Sequence, residues 1–310
     1  SALGIGTNLS PSGNVGFTPQ LSPRGVVEKP PLPADKVGWS ERSCGPLVIL
    51  LMAGAVVGVG FAMVFPDMEL WGAGAIHALL SFLCLLNFAL LIFSDPGAVR
   101  WSGEAEPHQE RLMREEAERK DELDNTEYLF QPYAMRQRTL PDGEVVTDRW
   151  CRTCRLWRPP RASHCRQCNR CFHRFDHHCG VLGTCVGQGN HRFFIAFLLC
   201  AGMACGVAGG SGVARVMQIL QERKEQPGLT YTGADSWRNY QLYIVIAYCA
   251  ATFAYAVLTL VFGLIHLGTI LWDITTKEYL ESTRQSRKFC ANACRALRQV
   301  LCTPIRGRGG

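Results

Sequence analysis

Residues 175–185 read FDHHCGVLGTC and set two histidines and two cysteines close together. Imidazole and thiolate both bind metals, and both take part in proton transfer and attack on carbonyls. Upstream ligands divide the labour. Cys151, Cys154, His164 and Cys171 follow the spacing C-x2-C-x9-H-x6-C. Cys165, Cys168, His178 and Cys185 repeat it fourteen residues later, so the two copies interleave. Three cysteines and one histidine make a closed four-ligand set for structural zinc. The repeat therefore predicts two structural zinc ions and assigns His178 to the second.

Asp176, His177 and Cys179 remain outside the zinc pattern. A thiol must become a thiolate before it attacks a carbonyl. A neighbouring imidazole can take its proton, and a carboxylate can hold that imidazole in the right tautomer. Zinc ligands on both sides would hold the segment stiffly, which lowers the entropic part of a barrier. The sequence thus predicts Cys179 as nucleophile, His177 as general base and Asp176 as its orienter.

The elements around this block are apolar. Hydrophobic residues make up 47% of the 310 residues and charged residues 19%. The runs 46–65, 71–93, 193–214 and 240–272 are each long enough to span a bilayer as helices, which need about 20 apolar residues. The expected fold is a mainly α, polytopic membrane protein. It has four transmembrane helices and a cytosolic two-zinc cysteine-rich domain between helices 2 and 3. Nine arginines fall in 148–192 and eight Lys or Arg follow residue 272, whereas the short turn 66–70 has neither. The positive-inside rule then places both termini in the cytosol. No secretory leader is evident. Seven of the fifteen cysteines lie within 151–185, on the expected reducing side, which favours metal binding or catalysis over disulfides.

The expected divisions are a disordered cytosolic tail over 1–45, helices 1 and 2 over 46–94, and a cytosolic linker over 95–148. The zinc domain follows over 149–192, helices 3 and 4 over 193–272, and a cytosolic C-terminal tail over 273–310. Residues 104–127 alternate charge sign and read as a solvated helix or flexible insert. The tail carries Cys290, Cys294 and Cys302 among basic and apolar residues, a setting for self-acylation beside a membrane. Surplus positive charge near the zinc block suits anionic lipid heads or a phosphorylated ligand.

CRTCRLWRPPRASHCRQCNRCFHRFDHHC resembles the cysteine-rich domain of the DHHC family of protein S-acyltransferases, the palmitoyltransferases. Asp95, Pro96 and Gly97 stand after the second span, as in that family. Thr275, Thr276 and Glu278 fit its TTxE motif after the fourth. GQGNHRFF sets Asn190 and Phe194 at its G-x2-N-x3-F positions. The resemblance covers roughly 45–302. It departs at Val181, where tryptophan is usual, at Thr184, where asparagine is usual, and at Ala296 in the tail. It implies a two-step reaction. Cys179 attacks the thioester of a long-chain acyl-CoA co-substrate, and the acyl group then passes to a membrane-proximal cysteine of a substrate protein. It places the chain as a multi-pass protein of an endomembrane (Golgi or ER) or the plasma membrane.

The same resemblance sets Ala204 on the third span at the position of a side chain that closes the acyl cavity. Stearoyl-CoA is then expected to be accepted about as well as palmitoyl-CoA. Gly202, Gly206 and Gly210 share a helix face, and close helix packing is the rival use of such a stripe. A membrane-anchored zinc scaffold with weak or no catalysis is the alternative to the enzyme. Nucleic-acid binding is not expected, because the basic block has no spaced aromatic platform. The residues do not indicate an accessory subunit.

Overall fold

The computed structural model describes residues 45–65, 71–119, 133–141, 143–225, 236–280 and 297–305. The expectations for the N-terminal tail, the 66–70 turn, Cys290 and Cys294 lie outside these residues. Four described helices are long and apolar enough to cross a membrane. They are α1 (Gly45–Val59) with a π-helical turn (Gly60–Val64), α2 (Trp71–Phe93), α4 (His191–Glu225) and α5 (Ser236–Leu271). Large apolar side chains such as Leu51, Phe82 and Leu258 point outward from them. An apolar solvent accommodates such faces, and a helix satisfies its own backbone there.

The chain forms two compact units. The first takes in Arg100–Pro160. It holds helix α3 (His108–Arg119) and the antiparallel strands β1 (Met135–Thr139), β2 (Val145–Cys151) and β3 (Leu156–Arg158), in the order β1-β2-β3. Trp150 and Trp157 are cross-strand partners, their rings edge to face at 5.3 Å. The charged insert is more than a solvated helix. Glu110 is fully buried, receives Arg152 Nε at 2.7 Å and accepts the Ala134 N–H at 2.8 Å. Alternating charge hides such a residue, because its partner lies forty-two positions away.

The second unit takes in Gly38–Val99 and Arg161–Gly310 where described. Beside the long helices it holds two small hairpins. One pairs β4 (Ser163–Cys165) with β5 (Arg170–Phe172), the other β6 (His177–Cys179) with β7 (Thr184–Val186). Helix α6 (Thr276–Leu280) follows α5. Val300 on the turn 297–301 packs with Ile195 and Ile270.

Helices α4 and α5 pack closely, but not along the expected glycine stripe. A side chain at Gly202 would meet Leu260 Cγ at 2.5 Å, and one at Gly212 would meet Cys249 Sγ at 2.5 Å. Gly209 sits against Thr252 and Phe253. Gly206 and Gly210 have open space. The crossing of the two helices selects the face through 202, 209 and 212, which spacing by four does not trace.

Candidate active site

The second zinc set lies wholly in the second unit. Cys165, Cys168, His178 and Cys185 present four ligand atoms within 4.8 Å of one another. His178 Nδ1 is 3.4 Å from Cys168 Sγ and 3.6 Å from both Cys165 Sγ and Cys185 Sγ. Ligands at zinc bond lengths of 2.0–2.3 Å in a tetrahedron stand about 3.3–3.8 Å apart, so this set fits the ion. The first set is divided between the units. Cys151 and Cys154 close a turn in one, and His164 and Cys171 are cross-strand partners in the other.

The fourteen-residue repeat is visible in local geometry. The Cys154 N–H meets Cys151 Sγ at 3.5 Å, and the Cys168 N–H meets Cys165 Sγ at 3.5 Å. Arg155 and Asn169, each just after the second cysteine, both take the left-handed conformation at φ 48°.

Asp176, His177 and Cys179 come together at β6. His177 Nδ1 donates to Asp176 Oδ2 at 2.8 Å, which leaves Nε2 as the face toward the thiol. The Cys179 thiol is paired with His177, and the Leu182 N–H donates to the Cys179 carbonyl at 3.1 Å. Burial works to raise the thiol, but the imidazole and the nearby Leu182 and Val181 amides hold it below its ordinary value. Burial works to lower His177, yet its bonds to Asp176 and Cys179 push it up to about 9. Burial also opposes the Asp176 charge. The hydrogen bonds from His177 and Thr276 outweigh it and hold the carboxyl well below the usual range.

Asp176 is completed by the chain after α5. The Thr276 N–H donates to Asp176 Oδ1 at 2.8 Å. The 275–278 stretch is a capping box. Glu278 N–H donates to Thr275 Oγ1 at 3.2 Å, and Thr275 N–H donates to Glu278 Oε2 at 2.9 Å. Arg161 ties the same segment down, reaching Glu278 Oε1 at 2.7 Å and Asp273 Oδ1 at 2.6 Å. Buried Arg174 stands 3.5 Å from Asp273.

The other motif residues act as joints. Asp95 Oδ1 accepts the N–H groups of Gly97 and Ala98, each at 2.9 Å. Gly97 takes φ 102°, a conformation open to glycine. Its carbonyl receives the His173 N–H at 2.7 Å, and the Pro96 carbonyl receives the Gly189 N–H at 3.0 Å. A side chain at Gly189 would strike the Asp95 carbonyl at 2.1 Å. Asn190 is fully buried. Its amide donates to the Leu91 and Cys185 carbonyls, and its oxygen accepts the Gly187 N–H. One side chain thereby joins α2, β7 and the start of α4.

Two histidines behind the triad were not singled out from sequence. His266 Nδ1 stands 3.8 Å from Asp176 Oδ2 and 3.4 Å from His191 Nε2. The available signal was His266 as the one histidine in a long apolar span. Phe194 meets His177 edge to face at 5.4 Å and His266 at 4.9 Å. Of the three departures, Thr184 is buried opposite Cys179, Val181 is exposed, and Ala296 lies outside the described residues. Ala204 is buried on the wall of a cavity among the long helices, and Cys302 is exposed.

The comparisons agree with the motifs. Residues 144–283 match the family model described as DHHC palmitoyltransferase. The chain is 38% identical over 147 residues to palmitoyltransferase ERF2 of Eremothecium gossypii, covering 46% of this chain and 35% of that protein. It is 37% identical over 125 residues to human palmitoyltransferase ZDHHC18, covering 40% and 30% respectively. A longer match, 28% over 200 residues, is to ERF2 of Kluyveromyces lactis, covering 64% of this chain and 48% of that protein. The chain thus spans about a third of the length of the first two relatives.

Proposed function

We propose, from the premise that residues 144–283 form a DHHC palmitoyltransferase domain, that the chain is a protein S-acyltransferase using long-chain acyl-CoA. The observation that carries this reading is the hydrogen-bonded line Asp176–His177–Cys179 at the edge of a zinc-ligand set.

In the first step the Cys179 proton passes to His177, and Sγ bonds to the thioester carbonyl carbon. The bond from that carbon to the coenzyme A sulfur breaks, and the departing thiolate takes the proton from His177. In the second step a substrate protein's cysteine gives its proton to His177 and its sulfur bonds to the acyl carbon. Cys179 leaves as the thiolate and recovers the proton. Each step exchanges one thioester for another. Asp176 stays ionised and keeps His177 Nδ1 protonated, so Nε2 remains the working nitrogen.

Cys165, Cys168, His178 and Cys185 would hold one zinc ion. The spacing repeat supports a second on Cys151, Cys154, His164 and Cys171. Zinc bound there supplies folding energy and a stiff frame for β6. The four apolar helices support a bilayer as the setting. The arginine distribution supports a cytosolic face for the site and both termini, so substrate proteins would carry membrane-proximal cysteines.

The test is incubation of the purified chain with labelled palmitoyl-CoA. A hydroxylamine-sensitive adduct on Cys179, lost in Cys179→Ser, is expected. Acyl transfer to a substrate protein by Cys179→Ser would refute the covalent route.

A further inference from the structure

Behind the Asp176 carboxylate stands a second layer of imidazole. His266 comes from α5, and His191 opens α4. Both side chains are buried. The His266 ring lies edge to face with Phe194 at 4.9 Å and with Phe262 at 4.7 Å, so packing aims it. Its Nδ1 stands 3.8 Å from Asp176 Oδ2 and 3.4 Å from His191 Nε2.

Charge decides which of these nitrogens carry hydrogens. Asp176 is held ionised, and its Oδ2 already accepts from His177 Nδ1. A nitrogen lone pair 3.8 Å from that oxygen would be repelled, whereas an N–H is attracted. His266 Nδ1 therefore carries a hydrogen, whatever the state of its Nε2. His191 Nε2 must then accept, which puts the His191 hydrogen on Nδ1. That Nδ1 is buried and has no hydrogen-bond partner. Buried donors are seldom left so. Apolar rings would fill the same space without the unpartnered donor, so packing alone does not account for two imidazoles. A need for the other His191 nitrogen, as the acceptor that steers the His266 N–H, does account for them.

We infer that His266 is a further positioning residue for the acylation of Cys179, its Nδ1–H turned toward Asp176 Oδ2 and its tautomer set by His191. The inference rests on the S-acyltransferase reading and adds to it a residue that acts through Asp176. The contact is longer than a hydrogen bond, so it works by charge. It favours the ionised carboxylate and keeps Oδ2 facing His177 while the proton from Cys179 arrives there.

The experiment is single-turnover acylation of Cys179 by palmitoyl-CoA in the purified full chain, read by intact mass, with two opposite replacements. His266→Phe keeps a ring against Phe194 and Phe262 and removes the N–H. His266→Asn gives up the ring and sets an amide nitrogen about where Nδ1 stands. At saturating palmitoyl-CoA, His266→Phe is expected to be slowed about fivefold and His266→Asn to stay within about twofold of the unmutated chain. The half-saturating concentration of palmitoyl-CoA should not move. In an Asp176→Asn background His266→Phe should cost nothing further, because the charge it serves is gone. Zinc content should be equal throughout. Any result in which His266→Phe is not the slower of the two overturns the inference. So does a full further loss in the Asp176→Asn background, or loss of zinc from His266→Phe, either of which would make the ring a packing element. Failure of the unmutated chain to acylate Cys179 overturns the acyltransferase reading itself, and this inference with it.

Discussion

Thr276 donates its backbone N–H to Asp176 Oδ1 at 2.8 Å across a hundred residues of chain. The other carboxylate oxygen receives His177 Nδ1 at 2.8 Å. Both oxygens of Asp176 are thus held, one by its neighbour and one by the segment after the fourth long helix.

Thr276 acts through its main chain, so Thr276→Ala should keep most of the acylation rate. Thr276→Pro removes the donor and should slow acylation at least tenfold, as loss of a hydrogen bond to a charged group costs about 1.5–3 kcal/mol. Single-turnover acylation of Cys179 measures both. Equal rates would mean that the bond to Asp176 contributes nothing.

Thr275→Ala opens the capping box, at about 1 kcal/mol of local stability. Glu278→Ala loses the box and also the Arg161 partner, so it should be the more damaging of the two. Proteolysis near residue 280 in detergent would rank them. The reverse order would assign the anchoring to Thr275.

Two zinc ions per chain are expected. Cys168→Ser should lose metal and unfold the hairpin region, because structural zinc supplies folding energy. Cys179→Ser should keep both ions. Metal analysis of purified protein decides, and loss of zinc from Cys179→Ser would show that ligand and nucleophile had been confused.

His177→Ala should lower the acylation rate on the order of 10²-fold while zinc content stays constant, the size expected for a positioned base. A rate within a few-fold of the unmutated chain would remove His177 from the proposed mechanism.

Ala204→Tyr places a ring at the far end of the cavity and should shift preference toward shorter chains. Each methylene excluded forfeits about 0.8 kcal/mol of burial. The unmutated chain is expected to take stearoyl-CoA about as well as palmitoyl-CoA. Competition among myristoyl-, palmitoyl- and stearoyl-CoA reads the length. An unchanged profile in Ala204→Tyr would put the chain end elsewhere.

The zinc spacing and the Asp176–His177–Cys179 line were legible because they are local. Ligands on short hairpins keep their sequence spacing in space, and β6 with the residue before it carries Asp176, His177 and Cys179. Four apolar runs likewise announce four helices. Long-range partners were not legible. Nothing near Glu110 points to Arg152, and nothing near Asp176 points to Thr276 or His266. The glycine face went astray for a related reason, because spacing gives the faces of one helix but not the angle at which another crosses it. The capping box could have been seen, since Thr275 and Glu278 are three residues apart and each supplies what the other's backbone needs.

The Thr276 bond also bears on how the protein is made. A ribosome delivers Asp176, His177 and Cys179 long before residue 276. Until the last long helix has left the tunnel and its following turn has folded back, one oxygen of a buried carboxylate lacks its donor and Arg161 lacks both of its acids. On the proposed mechanism a nascent chain would hold its thiol beside an unfinished base, and acylation of Cys179 is expected only after the 273–278 segment has folded back onto Asp176 and Arg161.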